Sequence, residues 1–413
     1  MSKPYDVIVV GGGPSGTTAA TLLARAGWQV ALIESATFPR RKVCGEFISA
    51  TTWPLLRALG VADPLLAKAG PAIHRVGLFA GTLMLDAPLT MPHDSVKDSG
   101  RAVVREYLDT FLMQAAVSAG AEVWQPWTLV GFDIDAGSYV CRIAARETSQ
   151  RRTLRAPLVV AAHGSWHRGA MPTHARRETA SASDLFGFKA HFRSTGLATD
   201  LMPLISFPGG YGGMVHADNG RVSLSCCIRR DQLTRCRRES PQLSAGAALL
   251  IHLQNSCAGV AQTLATAELD SAWLSAGPLQ TGFRSFGEAA LFTVGNATAE
   301  AHPIIAEGIS MAMQSAALLC AQLLAYYSPT GGVSPSPSVL TKMRAGYALT
   351  WQRHFTRRIY LACVAANLFM RPASARVAAL TLRRLPWILS RAARWSGKMQ
   401  PLRLDLACLS APP

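Results

Sequence analysis

The first fifty residues constrain the fold of this chain more than any other stretch. An apolar run at residues 5–10 leads into a Gly-x-Gly-x-x-Gly turn at residues 11–16. After a helical segment, a second apolar run at residues 30–33 ends at Glu34. A strand, a glycine turn, a helix, a strand and an acid in this order are typical of a unit that holds a dinucleotide. The sequence therefore predicts a Rossmann-like dinucleotide-binding unit.

The parts of this unit have separate expected roles. We expect Gly11 to allow the tight turn, Gly13 to let the backbone approach a pyrophosphate, and Gly16 to let the helix pack closely on the strand. The helix N-terminus offers N–H groups to the phosphates. Glu34, 23 residues after Gly11, is placed to accept the hydroxyl protons of a ribose. The predicted cofactor contacts in the turn are Gly11, Gly13, Pro14, Ser15 and Gly16.

Four later segments hold the other residues with candidate chemistry. Each lies at the end or the start of a predicted element, where functional groups are often positioned. The first three are the basic loop at residues 38–46, Arg105 at the start of an amphipathic helix, and His163-Gly164 after a buried strand. The fourth follows another buried strand and contains Gly295, Asn296, His302, Pro303, Glu307 and Gly308.

Together, and in this order, these segments resemble the FAD-dependent oxidoreductases that include geranylgeranyl reductases, aromatic-ring monooxygenases and flavin halogenases. The resemblance covers residues 5–325 and implies FAD as the cofactor. It places the segment after the last buried strand along the pyrophosphate, ribityl chain and isoalloxazine ring, and the Cys44-Gly45 loop near that ring. The FAD contacts implied beyond the first turn are Glu34, Arg41, Cys44, Gly45, Arg105, Gly295, Asn296, Pro303 and Gly308.

Two features depart from the pattern of this group. Asp is usual where this chain has Asn296, and Asp-Gly is usual where it has His163-Gly164. Since Asn can still bond a ribityl hydroxyl without adding charge, we expect FAD binding to persist. Halogenases of the group carry a Trp-x-Trp-x-Ile-Pro motif that this sequence lacks, which argues against halogenation.

Two reactions compete for the predicted flavin site. A monooxygenase transfers oxygen to an electron-rich substrate in a dry pocket. A reductase delivers hydride to a double bond and needs an acid for the proton. Group membership narrowly favours a monooxygenase acting on a lipophilic or aromatic secondary metabolite. A C=C reductase of the geranylgeranyl reductase type and a non-catalytic flavin-binding protein are the alternatives. The candidate proton donors, each equally well explained by packing or turn formation, are Cys44, Tyr211, His302 and Glu307.

The sequence also limits the electron source and the compartment. No second Gly-x-Gly-x-x-Gly follows a strand, and the glycines at residues 209–213 predict a loop beside the flavin. We therefore expect transiently bound NAD(P)H, or a separate flavin reductase, to supply electrons. Nine cysteines without a CxxC or a Cys/His cluster predict a reducing cytoplasm and no structural metal site.

The spacing of the predicted strands implies a discontinuous domain, because strands of the first unit recur after long insertions. The predicted fold class is α/β, with a Rossmann-like FAD-binding domain, an inserted β-rich substrate domain and a helical, basic C-terminal region. The FAD-binding domain takes residues 1–75, 100–172 and 276–327, the substrate domain residues 76–99 and 173–275, and the C-terminal region residues 339–413.

The C-terminal region holds most of the net charge. From residue 340 onward thirteen Lys and Arg accompany one acid, Asp405, so this region carries +12 of the total of +16. Its longest uncharged run, 12 residues, is too short to span a bilayer, which needs about 20. Two interpretations are open: peripheral helices on the inner face of an anionic membrane, and a helical lid over the substrate domain. No nucleic-acid partner is expected, because no binding motif accompanies the charge.

Overall fold

The computed structural model describes residues 5–89, 99–135, 137–165, 171, 179–329, 333–385 and 387–393. Residues 386 and 394–413 of the predicted C-terminal region therefore lie outside the described residues. Within the described part, the chain forms two large sheets, a three-stranded meander, two strand pairs and a C-terminal set of helices.

The strands follow one another along nearly the whole chain up to residue 300. In chain order they are β1 (Val7–Val10), β2 (Val30–Ile33), β3 (Phe47–Ile48), β4 (Arg75–Ala80), β5 (Leu83–Pro88), β6 (Arg101–Ala102), β7 (Glu122–Trp124), β8 (Trp127–Asp135), β9 (Ser138–Ala145), β10 (Arg151–Ala156), β11 (Leu158–Ala161), β12 (Leu185–Arg193), β13 (Leu201–Phe207), β14 (Gly210–His216), β15 (Val222–Arg229), β16 (Glu268–Leu269), β17 (Leu274–Ala276), β18 (Gly282–Phe283), β19 (Gly287–Glu288), β20 (Leu291–Thr293) and β21 (Ala299–Glu300).

The helices separate the sheets and then close the chain. They are α1 (Pro14–Arg25), α2 (Trp53–Ala58), α3 (Ala62–Leu66), α4 (Arg105–Ser118), α5 (Arg230–Glu239), α6 (Ala245–Ser256), α7 (Ala258–Thr263), α8 (Gly308–Tyr326), α9 (Pro337–Phe369), α10 (Pro372–Arg384) and α11 (Trp387–Ala393). Short 3₁₀ turns lie at Ala50–Thr52, Asp218–Gly220, Gly295–Ala297 and Pro303–Ile305.

The first large sheet is the Rossmann-like unit predicted from the N-terminal sequence. Its strand order is β7-β2-β1-β11-β20-β19, with β1 parallel to both β2 and β11 and with β19 antiparallel at one edge. The sequences VIVV and VALI of β1 and β2 are buried throughout, as expected of parallel strands covered on both faces. Helix α1 packs against α4 and α8. The predicted α/β fold class is confirmed.

The connection from β7 to β11 is an antiparallel meander of β8, β9 and β10. The sequence alone does not indicate strand β10, because its residues RRTLRA are mostly polar and only two of them are buried. The meander ends directly before β11, so the chain returns to the centre of the first sheet.

The second large sheet lies beside the first and is mostly antiparallel. Its order is β16-β12-β15-β14-β13-β4-β5, with β17 also paired to β12. One face packs on α5–α7 through side chains such as Phe188, Leu249 and Val260. These helices fall within the section predicted to be β-rich, so that section is a sheet with helical cover.

The glycines at residues 209–213 lie largely in a strand, which corrects the predicted loop. Strand β14 begins at Gly210 and pairs with β13 and β15. A Cβ atom at Gly210 would lie 2.3 Å from the ring of Phe207, and one at Gly212 would lie 2.7 Å from Cβ of Cys226. The glycines thus permit close packing within the sheet.

The C-terminal helices fold back over both sheets, so the predicted helical region is confirmed for its described part. Helix α9 buries Met343, Tyr347, Trp351 and Phe355, one residue in every four, and packs against α8. Helices α10 and α11 then lie on β4 and β5 of the second sheet. Among the described helices, α8 has the length and composition to cross a membrane. A helix in a protein core can have the same length and composition, and most of α8 is buried.

Candidate functional site

The glycine turn between β1 and α1 forms a cradle at the carboxyl end of the first sheet. Gly11 has a φ of 111°, a backbone conformation that L side chains rarely adopt. A Cβ atom at Gly16 would lie 1.8 Å from the carbonyl oxygen of Gly11. The start of the helix therefore approaches the turn too closely for any side chain at Gly16.

Gly13 differs from these two glycines because it faces open space. The nearest heavy atom to a Cβ at Gly13 would be Nη2 of Arg40, 3.9 Å away. Gly13 is also the N-cap of α1, and no side chain caps this helix N-terminus. The positive end of the helix dipole and its first N–H groups are thus left to a ligand. A pyrophosphate fits this cradle.

The acid at the end of β2 is held in place by four donors, of which Oγ of Ser35 is the most distant, 3.5 Å from Oε1. Oε2 of Glu34 accepts a hydrogen bond from the Gly12 amide at 2.8 Å. Oε1 accepts from the Ala36 amide at 2.7 Å and from Arg40 at 2.9 Å. Since each carboxylate oxygen has about two acceptor positions, Oε2, which accepts only from Gly12 among the described residues, retains capacity for a ribose hydroxyl. Its position suits the predicted ribose contact.

Behind the cradle, two arginines share one buried acid. Nε and Nη2 of Arg105 each donate to Asp109 at 2.8 Å, and Nε of Arg40 donates to the same carboxylate at 3.1 Å. Asp109 is fully buried and Arg105 is nearly so. The cavity that begins at the glycine cradle is lined by Arg40, Lys42 and Arg105. These three cations outnumber Asp109 and Glu34, so this wall of the cavity suits an anionic cofactor.

Arg41 is a predicted cofactor contact that the structure places elsewhere. Its Nη2 donates to Oγ of Ser271 at 2.7 Å, in the segment before β17. Among the described residues that line the cavity, Arg40 and Lys42 are present and Arg41 is not. Arg41 thus points away from the cavity that its neighbours Arg40 and Lys42 line, which the residue types alone do not reveal. The basic side chains that this loop presents to the cavity are therefore Arg40 and Lys42.

We expect the affinity for FAD to fall as the pH rises above 8, because of Lys42. Burial, together with the neighbouring Arg105 and Arg40, lowers the pKa of Lys42 to about 8. A bound anion favours the charged ammonium, so binding takes up a proton once the apoprotein has lost it. Each pH unit above 8 should weaken the Kd by up to about tenfold until the pKa of the bound state is reached.

Flavin absorbance titrations on both sides of pH 8 check the dependence on Lys42. Lys42→Gln should bind FAD more weakly at neutral pH and lose the pH dependence. Lys68→Gln is the matched control, since Lys68 lies over the ring of Tyr107 outside the cavity. An equal Kd of the wild type below and above pH 8 would contradict the assignment.

The loop that contains Cys44 is tied to the second sheet. Glu46 is fully buried with a φ of 61°. One of its carboxylate oxygens pairs with Nζ of Lys189, and the other lies 2.9 Å from Nε2 of His191. Oγ of Ser225 also donates to the carbonyl oxygen of Cys44 at 3.0 Å. Strands β12 and β15 thereby hold Cys44 against the cavity, which it lines together with Gly45.

Two of the predicted catalytic residues meet in the structure. Oη of Tyr211 lies 3.2 Å from Nδ1 of His302, and Nε2 of His302 lies 3.2 Å from Oγ1 of Thr281. Burial lowers the pKa of His302 and raises that of Tyr211 well above its usual value. Both groups are therefore neutral at neutral pH. The third candidate, Cys44, lines the same cavity from its own loop.

A second set of polar side chains in contact with one another lies beside this pair. The sequence did not predict that these side chains would meet. Nδ2 of Asn296 donates to Oγ of Ser165 at 2.9 Å. Glu300, also in contact with Ser165, pairs with Arg284 at 2.7 Å. Burial raises the pKa of Glu300, although Arg284 opposes this. The sequence signal for Glu300 is an acid two residues before His302 in the segment between β20 and α8, whereas Thr281 and Arg284 have no recognisable sequence signal.

The remaining predicted contacts surround the start of α8. Pro303 and Gly308 line the cavity. Gly295 has a φ of 60°, and a Cβ there would lie 2.7 Å from Oγ of Ser15. The turn after β20 therefore packs directly on the glycine cradle. Glu307, a further predicted proton donor, instead accepts a hydrogen bond from Oγ of Ser49 at 3.0 Å.

A cavity of about 1240 Å³ joins these groups. It extends from the glycine cradle along β12–β15 to the three C-terminal helices. A pocket for one small molecule usually has about 300–1,000 Å³, so this cavity has room for a dinucleotide and for part of a second molecule. Its far end is apolar, and the lining there includes Leu361, Leu368, Val377, Leu382 and Ile388.

Comparison with known proteins agrees with this geometry. The sequence model of the family described as "FAD binding domain" matches residues 4–335. The chain is 29% identical over 240 residues to a menaquinone reductase of Mycolicibacterium smegmatis, covering 54% of this chain and 55% of that protein. It is 34% identical over 169 residues to a digeranylgeranylglycerophospholipid reductase of Methanocella arvoryzae, covering 40% of each. The chain thus spans about half the length, or less, of these relatives.

A solved structure extends the likeness to the whole fold. The myxobacterial chondrochloren halogenase, an FAD-dependent halogenase, superposes with a TM-score of 0.75 at 18% identity, covering 93% of this chain and 90% of that one. At this identity the likeness concerns the fold. It covers nearly the whole of both chains.

Proposed function

This chain belongs to the FAD binding domain family, and on that premise we propose that it is an FAD-dependent monooxygenase that hydroxylates a lipophilic aromatic metabolite. The family identifies an FAD-dependent oxidoreductase. The oxygen-transfer reaction and the class of substrate are the proposal. When bound, FAD supplies the redox chemistry and the activation of oxygen, and the residues of this chain bind, orient and deprotonate the substrate.

The observation that carries the proposal is the contact between Tyr211 and His302. A neutral imidazole can accept a hydrogen bond at Nδ1 from Tyr211 while its Nε2–H donates to Thr281. Its lowered pKa keeps His302 in the neutral form, which has a ring nitrogen free to accept a proton. A phenol beside Tyr211 could lose its proton to the tyrosine oxygen as Tyr211 passes its own proton to His302. Such deprotonation makes an aromatic ring electron-rich, as oxygen transfer requires.

The cavity around this pair supports the same reaction. Tyr211 and His302 are buried, and the nearby carboxyl of Glu300 has a raised pKa. The walls beyond them are apolar and include Phe188, Met202 and Leu204. Exclusion of water protects reactive oxygen species from side reactions. An apolar cavity that continues to the C-terminal helices suits an aromatic head group with a lipophilic tail.

The second candidate function is reduction of a C=C bond in a lipophilic substrate. The curated relatives support it, since the two compared above are named as reductases of menaquinone and of a digeranylgeranyl lipid. In that reaction one of the candidate donors on the cavity, Cys44, Tyr211 or His302, would have to supply the proton. The raised pKa of Tyr211 makes it a weak donor, and the lowered pKa of His302 leaves it without the extra proton of an imidazolium, so we place this reaction second.

The electron source and the compartment are part of the proposal. NAD(P)H, bound transiently, or a separate flavin reductase would reduce the flavin. Each described cysteine is a free thiol, which supports a reducing cytoplasm.

Oxygen uptake tests the proposed reaction. Protein loaded with FAD should, with NADPH and a long-chain alkylphenol such as 4-nonylphenol, consume one oxygen molecule for each hydroxylated product. Mass spectrometry should show the gain of one oxygen atom. A parallel reaction with an added flavin reductase covers the case in which NADPH does not reduce this protein directly.

The anaerobic reaction is the matched control. Geranylgeraniol incubated with reduced protein under argon should remain unchanged. Saturation of its double bonds under argon, with no hydroxylation of the phenol in air, would overturn the proposal in favour of the reductase.

A further inference from the structure

We infer that the C-terminal helices form a docking surface for an anionic lipid bilayer, placed around the mouth of the cavity. The surface, here called the C-terminal rim, consists of exposed apolar side chains of α9–α11. They are Tyr360, Leu361, Val364, Leu368, Val377, Leu380, Leu385 and Trp387. The inference rests on the proposed function in so far as that function takes a lipophilic substrate.

The rim is unusually exposed for side chains of this kind. Tyr360 is 68% exposed, Val377 65% and Trp387 52%. On α9, residues 360, 361, 364 and 368 recur at helical spacing and so form one stripe. Helix α10 packs beside α9, and α11 packs beside α10, so the exposed apolar side chains continue from one helix to the next. Exposed apolar patches of this kind mark sites of interaction.

The same side chains form the rim of the cavity. Leu361, Val364, Leu368 and Val377 are exposed and also line the cavity that reaches the glycine cradle. A solute in the cavity would therefore leave it past this apolar edge. A bilayer seated on the rim would let a lipophilic substrate enter without crossing water.

The charge around the rim identifies the partner as an anionic surface. The sequence holds no Asp or Glu between Glu307 and Asp405. Seven arginines of the described helices are exposed in this region, namely Arg353, Arg357, Arg371, Arg376, Arg383, Arg384 and Arg391. Each basic residue near an anionic leaflet contributes about 1 kcal/mol. Arg391 also lies over the ring of Trp387 at 5.1 Å, and tryptophans of this kind prefer the membrane interface.

Vesicle sedimentation tests the inference with the full-length protein loaded with FAD. Vesicles of phosphatidylcholine mixed with phosphatidylglycerol should sediment the protein, and vesicles of phosphatidylcholine alone should not. Added salt should weaken the binding. The double variant Arg383→Gln with Arg384→Gln should bind the anionic vesicles about 30-fold more weakly. Leu380→Ser with Trp387→Ser should weaken binding through the apolar part, and none of these four side chains lines the cavity.

The matched control removes two exposed arginines at a distant place. Arg237→Gln with Arg238→Gln, at the end of α5, should sediment like the wild type. Equal loss in this control, or no sedimentation of the wild type, would overturn the inference. So would light scattering that shows a dimer lost in Leu380→Ser with Trp387→Ser, since a second copy would then cover the rim. Sedimentation needs no turnover, so its failure and that of the proposed reaction are distinguishable.

Discussion

The Gly13→Ala variant should fold like the wild type and bind FAD poorly. A Cβ at Gly13 meets nothing nearer than Arg40 at 3.9 Å, so the apoprotein tolerates the methyl group. That methyl would occupy the space in which a pyrophosphate approaches the backbone. Overpacking of this kind costs about 1–3 kcal/mol, which weakens the Kd roughly five- to 150-fold. Flavin absorbance titration and thermal melting of the apoprotein measure the two effects separately.

Two other glycine variants serve as controls for Gly13→Ala. Gly16→Ala should destabilise the apoprotein itself, because its Cβ would lie 1.8 Å from the carbonyl oxygen of Gly11. Gly196→Ala, remote from the cavity and with ordinary contacts at 3.7 Å and beyond, should change neither property. A wild-type Kd for Gly13→Ala would show that the cradle does not hold the cofactor.

The Glu46→Gln variant should lose about 3–5 kcal/mol of unfolding free energy. The side chains of Glu46, Lys189 and His191 are fully buried. The substitution keeps the shape but leaves the charge of Lys189 without its counterion. Removing one partner of a buried pair is far more costly than losing the attraction between exposed charges. Denaturation in urea at neutral pH measures the difference.

The pH dependence of this difference has a definite sign. Burial raises the pKa of Glu46, but the opposing contacts with His191 and Lys189 outweigh it and hold the pKa below the ordinary 4.5. A carboxyl with a lowered folded pKa stabilises the protein above its unfolded pKa. That stability is lost as the pH falls through the folded pKa. The wild type and Glu46→Gln should therefore differ fully at neutral pH and converge in acid.

Glu239→Gln is the matched control for the buried acid. Glu239 pairs with Arg235 at 2.8 Å on the exposed face of α5, and such surface pairs contribute about 0–1 kcal/mol. If Glu46→Gln were no more destabilised than Glu239→Gln, the buried triad would not join the loop that contains Cys44 to the second sheet.

Much of the cofactor cradle could be predicted because its signals are local. Gly11 and Gly16 are required by backbone geometry within six residues of each other. Glu34 follows from a strand of readable length. The prediction of Arg41 fared differently, because the direction of a side chain in an irregular loop depends on what packs against it. Arg41 donates a hydrogen bond to Ser271, whereas Arg40 and Lys42 occupy the space beside Asp109 and Glu34.

The second sheet also combines features that the sequence predicts with features that depend on packing. Its strands could be located, but the pairing of β12 with β15 and of β13 with β4 joins residues far apart in the chain. The glycines at residues 209–213 have the composition of a loop but lie largely in β14, because Phe207 and Cys226 pack too closely to allow side chains at Gly210 and Gly212. The buried triad of Glu46, Lys189 and His191 spans more than 140 residues, and no local pattern announces it.

By itself the sequence determined the Rossmann-like unit, the glycine cradle, the acid at Glu34 and the basic, helical character of the C-terminal region. These follow from periodicity, backbone constraints and composition, which act over short distances. Only the tertiary structure decided that Tyr211 meets His302, that Glu46 is buried with Lys189, and that α9–α11 surround the mouth of the cavity. Those contacts depend on which surfaces pack together, and packing joins residues that the order of the chain keeps apart.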